Sequence, residues 1–252
     1  THIETAYNRP QWSLDGKGFY YSRRRELPSD APDTEIYKRT EVRYHLVGSD
    51  PRSDVVVAAY GVSPQLPLID TDFPSLVITP GSDYAVLKVK HGDNNEIALF
   101  TAPLKALSLG NIPWVQIAQE SDLVTDFAIV ANNIYLITAM EAPRFKLLKT
   151  PLASPNFTDA EEVVPAGDWV LEGIAAAKDG IYLSAKQDGV NKVLRLSDDG
   201  NIELLKTPRN GAAYISSVSP QVPGVLIYEA TWTQGGVRYA YDPIDGGFSD
   251  TG

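Results

Sequence analysis

A tight turn followed by a short apolar strand recurs along the chain, and this repeat constrains the fold more than any other feature. The first copy is WSLDGKGFYYSR, residues 12–23, where Asp15-Gly16 is a turn dipeptide and the aromatic run after it favours a strand. Later copies have their turns at Gly81-Ser82, Asn132-Asn133, Asp179-Gly180 and Pro223-Gly224, each followed by a predicted strand (84–87, 134–137, 181–184 and 225–228). The turns are separated by about 65, 50, 47 and 44 residues, which is typical of propeller blades.

Each copy continues with further strand patterns. Third strands are predicted at 35–46, 96–102, 145–150, 192–197 and 237–241, and fourth strands at 55–57 and 202–205. Four strands in each of about five units predict an all-β chain, a β-propeller of four-stranded antiparallel blades. We expect a single domain with approximate blades 1–60, 61–120, 121–166, 167–208 and 209–252. A sandwich lacks such a repeat, and a β-helix has a shorter period.

The ends of the chain predict an incomplete propeller. The last copy leaves only GGFSDTG, too little for a full outer strand, and the first lacks an obvious strand before Trp12 unless residues 1–7 supply it. The chain also opens without Met, so we expect it to be part of a longer protein. Periodicity does not define the angles between blades. A closed five-bladed ring and an open arc that dimerises edge to edge both fit the sequence.

Composition excludes several functions. The net charge of −10 and the pI near 4.8 disfavour nucleic acid as a partner but tolerate a basic peptide. No run of eighteen apolar residues predicts a membrane span, and no signal peptide pattern opens the chain. The absence of Cys excludes disulfides and thiolate metal sites. This composition fits a soluble protein of the cytoplasm and does not exclude the periplasm, so the compartment stays open.

No catalytic residues and no metal site or cofactor are predicted. The histidines are His2, His45 and His91, and no G-x-S-x-G nucleophile motif accompanies them. His45 lies in a strand pattern, where we expect a packed or hydrogen-bonded side chain, and His91 lies in a loop and is expected to be better exposed. Asp198-Asp199-Gly200 is predicted to be a β-turn, because it lacks the alternating ligands of a calcium loop.

Other side chains allow a functional and a structural interpretation. A five-bladed glycosidase needs two carboxylates facing each other, and the candidates are Asp15, Asp72, Asp126, Glu172 and Glu229. Solvated or capping roles in turns are expected for them instead. Arg23-Arg24-Arg25 is expected to be a solvated loop. Buried blade packing is expected for the aromatic candidates Tyr7, Phe73, Trp114, Trp169 and Trp232.

Several motifs together resemble the propeller of the prolyl oligopeptidase family of serine peptidases. WSLDGKGFYYSRRRE is similar to that family's W-x-x-D-G-x-G-F-Y-Y-x-R signature. The resemblance continues in order through IYKRTEVRYHLVGSDPRSDVVV, TPGSDYAVLKVKHGDNNEIALFTAPL, APRFKLLKTPLASP, DWVLEGIAAAKDGIYLSAKQDGVNKVLRLSDDG and TWTQGGVRYAYDPIDG. It covers nearly the whole chain, which makes it more specific than any single motif.

The resemblance implies that the chain is most of a seven-bladed propeller that caps an α/β-hydrolase domain. The Ser, Asp and His of the catalytic triad belong to that other domain, which would be the main partner. Tyr7 matches an aromatic that contacts substrate, Phe73 matches an apolar pocket residue, and Lys90 stands where typical members have Arg. Lys lacks the planar fork of Arg, and DTDFPSL departs from the usual small residues beside Phe73.

The leading hypothesis is therefore a non-catalytic propeller that limits access to short proline-containing peptides. In this hypothesis the parent protein is a serine-type endopeptidase, and the chain alone does not hydrolyse peptides. The alternatives are a stand-alone propeller that acts as a protein-interaction scaffold and a five-bladed propeller glycosidase.

Overall fold

The computed structural model describes residues 10–24, 26–108 and 111–252. Within these residues, twenty strands form five four-stranded antiparallel sheets, and each sheet is made of four consecutive strands. This arrangement confirms the predicted fold class. The described residues include no helix that is long and apolar enough to cross a membrane.

Contacts between Cα atoms divide the chain into two compact units, of which the first contains residues 1–123 and 151–158. This unit contains the first two sheets. Their strands are β1 Gln11–Trp12, β2 Gly18–Arg23, β3 Glu41–Leu46, β4 Val55–Ala58, β5 Asp72–Ile78, β6 Tyr84–His91, β7 Ile97–Pro103 and β8 Val115–Ala118. Short 3-10 helices lie at Asp33–Tyr37, Pro51–Ser53, Leu104–Ala106 and Glu120–Asp122.

The second unit contains residues 124–150 and 159–252 and the other three sheets. Their strands are β9 Val124–Val130, β10 Asn133–Thr138, β11 Lys146–Pro151, β12 Glu161–Val164, β13 Val170–Ala177, β14 Gly180–Gln187, β15 Val190–Leu196, β16 Ile202–Leu204, β17 Ala212–Ser217, β18 Val225–Ala230, β19 Val237–Tyr241 and β20 Phe248–Asp250. The single domain and its blade boundaries stay a prediction.

Each unit has cores between the faces of successive sheets. In the first unit, Val42 and Ala58 of the first sheet pack with Leu76, Leu87 and Phe100 of the second. In the second unit, one cluster joins the third and fourth sheets and another joins the fourth and fifth. Alternating side chains on these strands bury both faces of a blade, and each fully buried Leu or Phe stabilises the fold by about 1.5–3 kcal/mol.

Two details of the strand prediction are corrected, and a third lies outside the described residues. The third strand of the first sheet begins at Glu41 rather than at residue 35, because Pro32 opens a 3-10 turn in which the N–H of Glu35 donates to the Pro32 carbonyl at 2.9 Å. The end of the chain does form a short outer strand, β20, paired with β19. The strand β1 occupies only Gln11–Trp12, and residues 1–7 lie outside the described part of the chain.

Candidate functional site

The second sheet places two of the predicted site residues opposite each other at one of its ends. In the antiparallel register of β5 and β6, Phe73 pairs with Lys90 and Asp72 pairs with His91. Successive side chains on a strand point to opposite faces. The Phe73–Lys90 pair and the Asp72–His91 pair therefore lie on opposite faces of the same sheet end.

The Phe73–Lys90 pair combines an apolar ring with a cation. Both residues are half-buried. The ammonium of Lys90 makes no hydrogen bond or ion pair within the described part of the chain. Lys88 lies on the same face of β6, two residues before Lys90, and pairs with Ser75. The role of Phe73 and Lys90 in a substrate pocket stays a prediction, and Tyr7, the third predicted residue, lies outside the described residues.

The Asp72–His91 pair was not predicted. The Asp72 side chain is only 1% exposed, and its Oδ1 lies 2.5 Å from Nδ1 of His91 while its Oδ2 accepts the N–H of Ile69 at 2.8 Å. Nδ1 of His91 therefore faces the buried carboxylate. Sequence reasoning treated His91 as isolated. The hairpin register, counted back from the Gly81-Ser82 turn, could have found its partner.

Glu120 extends this pair towards solvent. Its Oε2 lies 3.9 Å from Nε2 of His91, and its Oε1 accepts from the side-chain amide of Asn94. The side chain of His91 is 23% exposed, and that of Glu120 is 43% exposed. A buried carboxylate, an imidazole and a surface carboxylate thus follow one another from the interior to the surface.

A cavity of about 380 Å³ opens beside this chain of groups. Its volume is within the range of roughly 300–1,000 Å³ that small-molecule sites occupy. Its lining comes entirely from the first unit, and comprises Pro67, Leu68, Val89, His91, Ala98, Phe100, Gln116, Gln119, Glu120 and Ser121.

His45 belongs to a second buried network, in the first sheet. Its Nδ1 lies 2.8 Å from Asp54 Oδ1, and the hydroxyl of Tyr21 donates to Asp54 Oδ2 at 2.7 Å. Burial and this hydrogen bond raise the pKa of Tyr21 to about 12. These contacts confirm the expectation of a packed and hydrogen-bonded His45.

The other carboxylates that were considered for a glycosidase have local partners. Asp15 accepts the Ser13 hydroxyl at 2.7 Å, and Asp126 accepts the N–H of Ile174 at 3.0 Å. Glu172 pairs with Lys186 at 2.6 Å, and Glu229 is fully buried among backbone and hydroxyl donors. These contacts favour structural roles. Within the described residues, no group of three or more His, Cys, Asp or Glu side chains could hold a metal ion.

The remaining candidates are mostly structural. Asp198-Asp199-Gly200 is a turn, as expected, closed by the N–H of Gly200 donating to the Ser197 carbonyl at 2.9 Å. Arg23 is the last residue of β2 and pairs with Glu26, so the expectation of a solvated loop is wrong for this residue. Arg24 lies over the Tyr37 ring, and Arg25 lies outside the described residues.

Trp114 is buried and Trp169 packs against the cluster between the third and fourth sheets, but Trp232 is fully exposed. The expectation of burial is therefore wrong for Trp232. This residue lies in the loop between β18 and β19, where a turn from Thr231 to Gln234 carries it away from the sheet.

Consecutive four-stranded antiparallel sheets with buried faces are the blades of a β-propeller. The family model described as "Prolyl oligopeptidase, N-terminal beta-propeller domain" matches residues 2–234, and the chain belongs to this family.

Solved structures show the same fold. A prolyl endopeptidase structure has 20% sequence identity and a TM-score of 0.79, with 96% of this chain and 34% of that chain covered. Prolyl oligopeptidase B from Galerina marginata, bound to a 35mer hydrolysis and macrocyclization substrate, has 19% identity and a TM-score of 0.79 over 98% of this chain and 34% of that one. Oligopeptidase B from Leishmania major has 13% identity and a TM-score of 0.74, with 96% and 33% covered. The chain spans about a third of the length of these structures.

Proposed function

We propose that the chain is the substrate-gating propeller of a prolyl oligopeptidase-like serine peptidase. Joined to an α/β-hydrolase domain, it limits access to short proline-containing peptides, which that domain cleaves. The observation that supports this most is the family match over residues 2–234. A similar fold occurs in a prolyl oligopeptidase bound to a peptide substrate, which is consistent with a peptide-handling role.

The Phe73–Lys90 pair is the proposed peptide contact. An ammonium without a partner in the described residues can donate to a peptide carbonyl, and the neighbouring ring can pack against a proline or another apolar side chain. Lys is a point charge, whereas Arg donates through a planar fork. Lys90 therefore supports a weaker and less directional contact than the Arg of typical family members.

Replacing the lysine tests this contact. Titration of the chain with a short proline-containing peptide, followed by NMR shifts of the β5 and β6 amides, is expected to show binding without cleavage. Lys90→Arg is expected to tighten binding by about threefold, because the fork makes a second hydrogen bond. Lys88→Arg, on the same face one pleat away, is the matched control and is expected to leave affinity unchanged.

Two results would contradict the proposal. An absence of peptide binding at millimolar concentration would remove the proposed contact, and hydrolysis by the chain alone would remove the non-catalytic role. The coding sequence of the whole protein provides an independent check, since it is expected to encode a G-x-S-x-G nucleophile motif followed by the Asp and His of a triad.

A further inference from the structure

The cavity beside His91 has an apolar interior. Leu68, Val89, Ala98 and Phe100 line it, and all four side chains are buried parts of the core between the first two sheets. Such a wall offers favourable contact to methylene groups but provides no hydrogen bonds. A ligand that enters can place an aliphatic segment against these four side chains, while the polar lining residues His91, Gln116, Gln119, Glu120 and Ser121 are available to its polar end.

The mouth of the cavity presents a carboxylate. Nδ1 of His91 lies 2.5 Å from Asp72 Oδ1, and Nε2 of the same ring faces the Glu120 carboxylate, whose Oε2 is 3.9 Å away. At this distance Nε2 and Oε2 are not hydrogen-bonded to each other. A donor placed beside Oε2 would give this partly exposed carboxylate a hydrogen bond.

The charge around the mouth selects the kind of donor. The cavity lining contains no Lys or Arg, and Glu120 has no Lys or Arg partner within the described residues. The buried Asp72 carboxylate adds negative charge behind the imidazole, in a chain whose net charge is −10. A cationic donor is favoured over a neutral one, and an anion is disfavoured.

We infer that this cavity binds an alkyl chain that ends in an ammonium or guanidinium group, as in a lysine or arginine side chain. The methylene stem would lie against Val89, Ala98 and Phe100, while the cation would donate to Glu120. Long cationic side chains commonly bury the stem and keep the charged end near water. This cavity lies on the face opposite Phe73 and Lys90, so the inference does not depend on the proposed peptidase function.

Calorimetric titration with small probes tests the inference. N-acetyl-lysine amide is expected to bind the chain, and N-acetyl-norleucine amide, which keeps the stem without the charge, is expected to bind at least fivefold more weakly. Butylamine has the stem and the ammonium of a lysine side chain but no peptide groups, so it distinguishes the source of the cation. If butylamine binds as tightly as the lysine amide, the ligand is a free amine. If butylamine binds more weakly, the ligand is a peptide side chain.

Two variants locate the binding. Glu120→Gln is expected to weaken lysine-amide binding by about fivefold, and Ser121→Lys, which places a competing ammonium at the exposed mouth, is expected to abolish it. Glu203→Gln removes one carboxylate from the exposed strand β16, outside the lining, and serves as the charge-matched control. Equal affinity for the lysine and norleucine amides, or unchanged binding by Glu120→Gln, would overturn the inference.

Discussion

At the residue scale, Glu229 shows how a buried charge can be structural. This carboxylate on β18 is fully buried. It accepts the hydroxyl of Thr207 at 2.5 Å, the N–H of Gly211 at 2.7 Å and the N–H of Arg209 at 3.1 Å. Three donors converge on two oxygens. The carboxylate therefore holds the connection between β16 and β17 against β18, a central strand of the fifth sheet.

Replacing this carboxylate by an amide should be costly. In Glu229→Gln, the amide NH₂ would face backbone N–H donors that need an acceptor, and one of them would remain buried without a partner. We expect the free energy of unfolding to fall by about 3 kcal/mol in urea titration. Glu203→Gln, the exposed counterpart on β16, should change it by less than about 0.5 kcal/mol. Equal effects of the two changes would contradict the structural role of Glu229.

At the scale of the element, the turns between successive strands determine where each hairpin can close. Gly224 precedes β18 with φ +81°, and a Cβ there would overlap the backbone carbonyl oxygen of Tyr241. Gly200 precedes β16 with a similar φ of +85°, but a Cβ there would meet nothing within 4 Å. The two positions share a left-handed φ that glycine adopts without strain, and they differ in the space around them.

This difference predicts two unequal alanine substitutions. Gly200→Ala should cost about 1–2 kcal/mol of unfolding free energy, the penalty for a left-handed conformation with a Cβ. Gly224→Ala should cost at least about 3 kcal/mol, because the carbonyl of β19 must also move. Thermal unfolding of both variants gives the comparison. If Gly224→Ala lost no more stability than Gly200→Ala, the close approach to Tyr241 would be unimportant.

At the scale of the whole molecule, stability depends on contacts that join successive blades. In the second unit, Asp179 lies in the turn before β14, and its Oδ1 accepts the N–H of Gly224 from the next sheet at 2.7 Å. Its Oδ2 accepts the Tyr182 hydroxyl at 2.8 Å and Nε of Arg195 at 2.9 Å. Burial alone would raise the pKa of Asp179, but these hydrogen bonds and the Arg195 charge outweigh burial and lower it.

The lowered pKa predicts a pH-dependent contribution to stability. A carboxyl group whose pKa is lower in the folded state stabilises the fold above its unfolded value of about 3.9, and this contribution is lost as the pH falls through the folded value. Asp179→Asn should therefore reduce the unfolding free energy by about 2 kcal/mol at neutral pH, and by progressively less in acid. Urea unfolding at a series of pH values measures the difference.

A turn aspartate outside such a network provides the control. Asp188 lies in the turn between β14 and β15 with φ 50°, a conformation that Asn tolerates well. Asp188→Asn should have little effect at any pH. A loss of stability in Asp179→Asn that did not shrink in acid would show that the lost contacts, rather than the charge, are responsible.

The repeat of turns and strands was predictable because it is local. Asp179-Gly180 and Pro223-Gly224 restrict the backbone to a turn, and the short apolar run after each turn favours a strand with two buried faces, so the number of strands and blades follows from short stretches. Where one residue changes the local preference, as Pro32 does before the third strand of the first sheet, the strand prediction was wrong at its boundary.

The candidate site was predictable only in part. Phe73 and Lys90 were identified through resemblance to a family, and the register then placed them opposite each other. The sequence by itself determined the four-stranded blades, since turn chemistry and short strand patterns act over a few residues. Only the tertiary structure decided that Glu120 completes the mouth of a cavity and that Trp232 is exposed. These features depend on how a loop returns to the sheet or leaves it, and local preferences do not specify that.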